Sequence, residues 1–387
     1  MRKFIVFCIS AVMILSFAGA GFCAFPEFVR IGHTVSLTGG ASMWGQSEAN
    51  AIDMLVNKIN NMDGGILGKH IEIVRYDNRN DAVEAVNVAR RLVADGVIAV
   101  IGPAQSGRAI ASAPIFERAR IPMIVTTATN PYVTIDQKTE TLLEYAFRPC
   151  FIDPYQGTVA ARFAADDLKA ATAAILYDVG DDYGQWLSKY FEEAFAEKGG
   201  KVVAKEAFRT EELDYRAQLG KMKEQEPDVI FIPTSQKEAA MAAKQARDLG
   251  IKAILLGTDN WGSPDLIDLG GEAVDGSYFV NLADLDDPDI QAFVREYRDA
   301  YGADPVLPNP VMAQDALLMI VEAAKAAGSF EGEELAKALA NLTDITVTSG
   351  KLTMDPSNHN PLNKPAVIQQ VDVTNNKFVF VKKYGSI

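Results

Sequence analysis

The sequence predicts an α/β protein built from two doubly wound lobes, each with a parallel β-sheet. Strand-like and helix-like patterns alternate along most of the chain, which is typical of parallel sheets with helices on both faces. The chain of 387 residues is also longer than a single core requires. One sheet holding all of the strand-like segments would be unusually wide, so two sheets are expected.

The first segment of the chain has the pattern of a secretory signal peptide. Residues 1–3 carry positive charge, residues 4–17 are almost uninterruptedly apolar, and residues 18–20 form an A-x-A cleavage site. The apolar run is shorter than the roughly 20 residues that span a bilayer, which argues against a membrane anchor. Cleavage after residue 20 fits best and cleavage after Ala24 is the alternative, while acylation of Cys23 would instead give a lipoprotein.

The mature chain opens with a βαβ unit. Helix stop signals at Gly64-Gly65, a capping box of Asp81 and Glu84, and a stop at Gly96 separate its elements. The last strand is continuously apolar, as in a strand buried on both faces. Its strand, helix, strand, helix and strand patterns cover residues 29–37, 52–59, 71–74, 81–94 and 97–101.

The same alternation continues beyond this unit. The pattern breaks near Arg148-Pro149, where the first lobe is predicted to end. Helices near the C-terminus form either a third domain or part of the first two lobes, and their periodicity alone leaves both open. Strands are predicted at 121–127, 173–177, 202–208, 229–233 and 253–256, and helices at 183–198, 238–249, 290–301, 311–327 and 333–342.

The composition excludes several classes of protein. With 48% hydrophobic and 23% charged residues, the chain is neither a disordered polymer nor a polytopic membrane protein. The net charge of −14 repels phosphate backbones, and no cluster of Lys and Arg reverses it locally, so we expect no nucleic-acid partner.

Polar residues follow the predicted strands where parallel sheets bind ligands. Two of these junctions offer hydroxyl groups, including Ser106 and Thr129, and two offer carboxylates. Such a division suits a zwitterion, whose carboxylate accepts from hydroxyl and backbone N–H groups while an Asp holds its ammonium. Taken singly, each of these residues is more typical of a helix cap or a turn than of a ligand-binding site.

The common enzyme and cofactor motifs are incomplete or missing. Residues 102–107 have the spacing of a phosphate loop, but Arg108-Ala109 stands where Lys-Ser/Thr is needed. No G-x-G-x-x-G, G-x-S-x-G, H-E-x-x-H or C-x-x-C motif occurs, and the three histidines lack metal-ligand spacing. We therefore expect no enzymatic activity, no cofactor and no metal.

An ordered series of short motifs, taken together, resembles the periplasmic leucine/isoleucine/valine-binding proteins, the substrate-binding components of ABC importers. The resemblance covers nearly the whole mature chain. Its motifs are Ile31-Gly32, Ser36-Leu37-Thr38-Gly39, Trp44-Gly45, Asn50-Ala51, Ile59-Asn60, Gly64-Gly65-Ile66, Tyr76-Asp77, Ala82 to Ala94, Ile101-Gly102, Ser106, Thr129-Asn130-Pro131, Tyr183-Gly184 and Gln245-Ala246-Arg247.

The resemblance implies the type I periplasmic binding fold, in which two lobes joined by three crossover strands close over a ligand like a Venus flytrap. It implies crossings near Arg148, Val280 and residues 348–354. Lobe 1 would then comprise 25–148 and 281–350, and lobe 2 would comprise 149–280 and 351–387.

The resemblance also implies which residues bind the ligand. Ser106 and Thr129 match carboxylate-binding residues, aided by the backbone of Thr127 and Ala128. Asp259 matches the acidic partner of the α-ammonium, where the family member compared has Glu.

Other positions match residues that surround the ligand side chain. Tyr183 matches an aromatic residue that closes over the ligand, and Trp44 lies where a Tyr lines the side-chain pocket. A second-lobe Tyr is replaced by Ser235 or Gln236, and another aromatic residue by Gln314. These departures support amino-acid recognition more strongly than branched-chain specificity.

The function expected from this resemblance is capture of an amino acid in the periplasm and its delivery to ABC permease membrane subunits. We expect a monomer that binds a branched-chain or other apolar or aromatic amino acid. The alternative is a receptor component that senses an amino acid, an amide or a small carboxylate and signals instead of transporting it. An enzyme on the same fold is disfavoured by the missing motifs.

Overall fold

A computed structural model of the protein describes residues 27–385, except residues 63, 211 and 363. The predicted signal peptide, residues 1–20, lies outside these residues, and so does Cys23. In the part of the chain that is described, no helix has the length and apolar character needed to cross a membrane.

The first sheet is formed by the N-terminal part of the chain and is entirely parallel. Its strand order is β2-β1-β3-β4-β5, so the chain winds outward in both directions from β1 and β3. The elements are β1 (Phe28–Val35), α1 (Ser42–Met62), β2 (His70–Asp77), α2 (Ala82–Ala94), β3 (Ala99–Ile101), α3 (Ser106–Ala119), β4 (Met123–Ile124) and β5 (Ala146–Phe147).

The second sheet begins with five further parallel strands. Helix α4 continues into a π-helical turn over residues 163–167, and helices separate the strands as predicted. The elements are α4 (Asp153–Arg162), β6 (Thr172–Asp178), α5 (Asp182–Glu197), β7 (Lys201–Phe208), α6 (Arg216–Lys223), β8 (Val229–Phe231), α7 (Gln236–Asp248), β9 (Ile254–Gly257), α8 (Pro264–Gly270) and β10 (Tyr278–Asn281).

The C-terminal part completes both halves of the molecule. Its last hairpin adds two antiparallel strands to the second sheet, whose order is β16-β15-β10-β9-β8-β6-β7. The elements are α9 (Gln291–Tyr301), α10 (Asn309–Ala327), α11 (Gly332–Ala340), β11 (Ile345–Val347), β12 (Gly350–Leu352), β13 (Met354–Asp355), β14 (Asn360–Pro361), β15 (Ala366–Asp372) and β16 (Lys377–Tyr384).

Helices α10 and α11 cover the first sheet, although they follow the second sheet in sequence. Leu317 and Ile320 of α10 and Leu335 of α11 share one buried core with Ile31 and Ile101. The C-terminal helices therefore form no separate third unit.

Packing on the first sheet continues past the boundary predicted at residue 350. Leu352 and Met354 are buried in the same core as Ile31, whereas the predicted division assigned them to lobe 2. We therefore propose that the third crossover follows Pro361, just before the chain enters β15. In that crossover, Lys364 makes a buried ion pair of 2.9 Å with Asp315 of α10.

Close backbone approaches fix the helices that border the space between the lobes. A side chain at Gly45 of α1 would place its Cβ 2.0 Å from the Ser36 carbonyl oxygen, so only glycine allows α1 to approach the end of β1. A Cβ at Gly157 of α4 would lie 2.7 Å from the Tyr190 Cβ on α5. These contacts position Trp44, next to Gly45, and the first turn of α4.

Candidate functional site

A cavity of about 490 Å³ lies between the carboxyl ends of the two sheets. Residues after β3 and β4 form one wall, and residues after β6, β8 and β9 form the other. This is where doubly wound sheets bind ligands, because following helices present free N–H groups there. The cavity brings together six of the predicted site residues, namely Trp44, Ser106, Thr127, Tyr183, Ser235 and Gln236.

The wall formed by the first sheet carries the hydroxyl groups of Ser106 and Thr127, together with the side chains of Arg79 and Arg108. Ser106 is the first residue of α3, and its Oγ accepts a hydrogen bond of 3.2 Å from the Asn130 N–H. The Thr127 hydroxyl donates to the Ala104 carbonyl oxygen at 3.1 Å. No side chain caps the start of α3, so its first N–H groups can donate to an anion.

Four buried polar residues that do not line the cavity are linked to Tyr183, which does, through hydrogen bonds and helix α4, and we call Thr129, Asp153, Gln156 and Asp259 the inner polar cluster. Asp259 accepts hydrogen bonds from Gln156 Nε2 at 2.7 Å and from the Tyr183 hydroxyl at 2.5 Å. The Asp153 N–H donates to the Thr129 carbonyl oxygen at 2.9 Å. The cluster thus joins the loop after β4 to α4 and to the loop after β9.

The inner polar cluster has more polar atoms than internal partners. Among the described residues, Thr129 Oγ1, both Asp153 carboxylate oxygens and Gln156 Oε1 have no hydrogen-bond partner. Buried polar atoms are nearly always hydrogen-bonded in folded proteins. These unpartnered polar atoms are therefore typical of a site in which a polar ligand supplies the missing hydrogen bonds.

Burial raises the pKa of both acids in the inner polar cluster, Asp153 and Asp259. Desolvation raises the pKa of Asp153 to about 8, while the nearby Thr129 hydroxyl opposes this rise and the charge of Asp259 adds to it. Burial also raises the pKa of Asp259, against the effect of the bonds from Tyr183 and Gln156.

A buried arginine adjoins this cluster. Arg148 is fully buried and donates to the carbonyl oxygens of Ala128 at 2.9 Å and Asn130 at 2.8 Å. Burial lowers its pKa, but a guanidinium remains charged at neutral pH. The Ala128 carbonyl, part of the backbone predicted to aid carboxylate binding, is therefore engaged by Arg148.

Trp44 is held at the cavity by a network that includes a buried acid. Asn309 Nδ2 donates to the Trp44 carbonyl oxygen at 3.0 Å and to Glu48 Oε1 at 3.1 Å. The Thr126 hydroxyl donates to the same Glu48 oxygen at 2.8 Å. Burial raises the pKa of Glu48 to about 7, against these two bonds.

The remaining predicted residues differ in their placement. Thr129 and Asp259 belong to the inner polar cluster, next to the cavity wall. Gln314 lies outside the cavity: its Nε2 donates to the Ala51 carbonyl oxygen at 3.0 Å, and its Oε1 accepts from the Thr348 hydroxyl at 3.0 Å. Gln314 therefore links α1 to the turn after β11 instead of lining the cavity. Ser235 bonds through its hydroxyl to the Glu238 carboxylate.

Sequence reasoning missed Glu48, Arg148, Asp153 and Gln156. A signal existed for three of them, since Arg148, Asp153 and Gln156 are polar residues close together at the predicted end of lobe 1. Glu48 lies on a helix whose buried face is otherwise apolar or small, and its spacing gave no warning. Among the described residues, no group of three or more His, Cys, Asp or Glu could hold a metal ion.

Known proteins resemble this chain over nearly its whole length. The family model for periplasmic binding proteins matches residues 29–377. The Leu/Ile/Val-binding protein homolog 1 of Brucella suis is 30% identical over 356 residues, which cover 92% of each protein. The leucine binding protein LivK of Thermotoga maritima has 32% identity and a TM-score of 0.84, covering 92% of this chain and 98% of that one. The substrate binding protein LivJ of Streptococcus pneumoniae, solved with isoleucine, has 29% identity and a TM-score of 0.81, covering 92% of this chain and 100% of that one.

Proposed function

Because this chain belongs to the periplasmic binding protein family, among relatives that include Leu/Ile/Val-binding proteins, we propose that it captures a free amino acid between its two lobes. The observation that carries this proposal is the arrangement of opposite polarities across one cavity. The hydroxyl groups of Ser106 and Thr127 and the start of α3 line one wall, which also carries two arginines, and the buried acid Asp259 lies behind Tyr183 of the other wall. A zwitterion matches both sides at once.

The two ends of the amino acid would be bound by different chemistry. Its carboxylate would accept from Ser106, Thr129 and the first N–H groups of α3, which are neutral donors aided by the helix dipole. Its ammonium would donate to Asp259. Closing the lobes removes water from both contacts and so strengthens them.

The side chain of the ligand would pack against Trp44, whose ring is almost completely buried. Ser235 and Gln236 make the opposite part of the wall polar, so this part of the wall gives no selection for a strictly branched apolar side chain. A micromolar site requires only about −8 kcal/mol, which two charge-assisted contacts and one buried side chain can supply.

The family and the predicted signal peptide support a proposal for the partner and the location. We propose a periplasmic monomer that delivers its ligand to the membrane subunits of an ABC importer. Uptake of labelled ligand by reconstituted membrane subunits, with and without this protein, separates transport from a purely sensory role.

The test begins with a thermal-shift screen of the standard amino acids. A ligand at a hundredfold excess over its Kd stabilises the native state by roughly 2.7 kcal/mol. A clear shift with a sugar or nucleoside, and none with any amino acid, would contradict the proposal.

The second stage compares the amino acid with its 2-oxo acid in wild type and in Asp259→Asn. Loss of a desolvated ion pair should cost roughly 2–5 kcal/mol for the amino acid and much less for the oxo acid. The difference between these losses is the coupling between Asp259 and the ammonium. Asp265→Asn, a change in the first turn of α8, is the matched control. Additive losses in a folded variant would show that Asp259 does not contact the α-amino group.

A further inference from the structure

The charges buried in and beside the inner polar cluster do not balance. Arg148, Asp153 and Asp259 are each at most 2% exposed, and the charge of Arg148 lowers the pKa of Asp153 while that of Asp259 raises it. This buried group contains one guanidinium and two carboxyl groups. With both acids ionised, this buried group of side chains lacks one positive charge, and buried charge is stable only when it is paired or neutralised by a proton.

Asp153 forms no ion pair among the described residues, and burial keeps its pKa raised although Arg148 and the Thr129 hydroxyl lie near enough to lower it. It is the first residue of α4, yet it caps no N–H group of that helix, and neither carboxylate oxygen has a hydrogen-bond partner among the described residues. Thr129 Oγ1 and Gln156 Oε1 are also unpartnered and fully buried beside it. Four acceptor atoms are therefore free in one enclosed place.

We infer that Asp153 is a second anionic contact for the ligand, so that a primary ammonium is bound between Asp153 and Asp259. This inference rests on the proposed function and extends it. One ammonium supplies the missing positive charge, and its three N–H donors can bind Asp259, Asp153 and one of the free acceptors on Thr129 and Gln156. Gln156 fixes the position of Asp153 relative to Asp259, because it lies one helical turn after Asp153 and donates a hydrogen bond to Asp259.

The number of free acceptors restricts which kind of amine the site can bind. A primary amine satisfies more of these acceptors than a secondary amine, and a quaternary amine satisfies none. The site should therefore prefer an α-amino acid over its N-methyl derivative and reject a betaine. Tyr183 separates Asp259 from the cavity, so its hydroxyl must leave Asp259 for the ammonium to enter.

The test uses an amino acid that binds the wild type, together with its 2-hydroxy acid. In Asp153→Asn we expect affinity for the amino acid to fall at least tenfold and affinity for the hydroxy acid to change less than threefold. Asp265→Asn serves as the control and should alter neither. Equal losses for both ligands, or no loss, would overturn the inference, whereas a wild type that binds no amino acid would overturn the proposed function itself.

A second measurement avoids any need for Asp153→Asn to fold. The titratable and charged groups around Asp153 are Arg148, Cys150, Asp181, Tyr183, Tyr190 and Asp259. Burial gives Asp153 a pKa of about 8, so it holds a proton at pH 7 that an incoming ammonium displaces. Calorimetry in two buffers of different ionisation enthalpy should show proton release with the amino acid and none with the hydroxy acid.

The variant Asp259→Asn tests whether the released proton comes from Asp153. At ligand concentrations that saturate this variant, release should persist, because Asp153 remains. Loss of proton release in Asp259→Asn, or its absence in the wild type, would overturn the inference.

Discussion

Replacing Glu48 by Gln should remove a pH dependence from the stability of the folded protein. Glu48 is completely buried on α1 and accepts hydrogen bonds through Oε1, while its Oε2 has no partner among the described residues. Gln keeps the accepting oxygen and the shape but cannot ionise. The substitution therefore isolates the cost of ionising this buried acid.

The sign and size of the effect follow from proton linkage. The pKa of Glu48 rises from 4.5 to about 7 on folding, so the folded state holds a proton that the unfolded state has already released. Stability is greatest in acid and is lost as the pH rises from the unfolded pKa to the folded pKa. At about 1.4 kcal/mol per pKa unit, the total loss is roughly 3 kcal/mol, most of it between pH 5 and pH 8.

The assay is urea unfolding of wild type and Glu48→Gln at pH 5, 6, 7 and 8, with the difference in unfolding free energy taken at each pH. The difference should move in favour of Gln by roughly 2–3 kcal/mol over this range. Other buried acids, such as Asp153, titrate in both proteins and cancel. Glu224→Gln, at an exposed position, should leave the difference flat. Parallel curves for wild type and Glu48→Gln would refute the assignment of a buried, ionisable Glu48.

Two further outcomes are expected. Trp44→Ala should weaken ligand binding by about 2 kcal/mol or more, because a buried aromatic anchor is lost; an unchanged Kd for every ligand would remove Trp44 from the binding site. Lys364→Met should destabilise the protein by about 3–5 kcal/mol in urea unfolding, because it leaves Asp315 buried without its counter-charge. The double variant with Asp315→Leu should recover part of that loss, and strictly additive losses would contradict the pairing.

The fold could be predicted because its strands and helices alternate with strong local periodicity. The continuous apolar run before Gly102, for example, becomes β3, buried in the middle of the first sheet. The return of α10 to the first sheet could not be derived from that periodicity. Leu317 and Ile31 belong to one core, and no local sequence pattern indicates packing between residues so far apart in the chain.

Some residues of the candidate site could likewise be predicted from the sequence, and others could not. Ser106, which follows a strand, could be proposed because the sheet topology brings strand ends together. Tyr183 was proposed from the family resemblance. Glu48 and Asp153 lie within helices, where sequence periodicity indicates burial but not which buried polar atoms lack a partner. Gln314 came from a positional match alone, and its helix face turns toward α1 instead of the cavity.

The packing of the C-terminal segment on the first sheet has a consequence for how the chain folds during synthesis. Ile31 and Met354 belong to one core, so one apolar face of the first sheet stays uncovered until nearly the entire chain has left the ribosome. Contacts of such long sequence separation slow folding, because the intervening loop must close first. The nascent first lobe is therefore a natural substrate for chaperones, and truncation before α10 should yield an aggregating fragment.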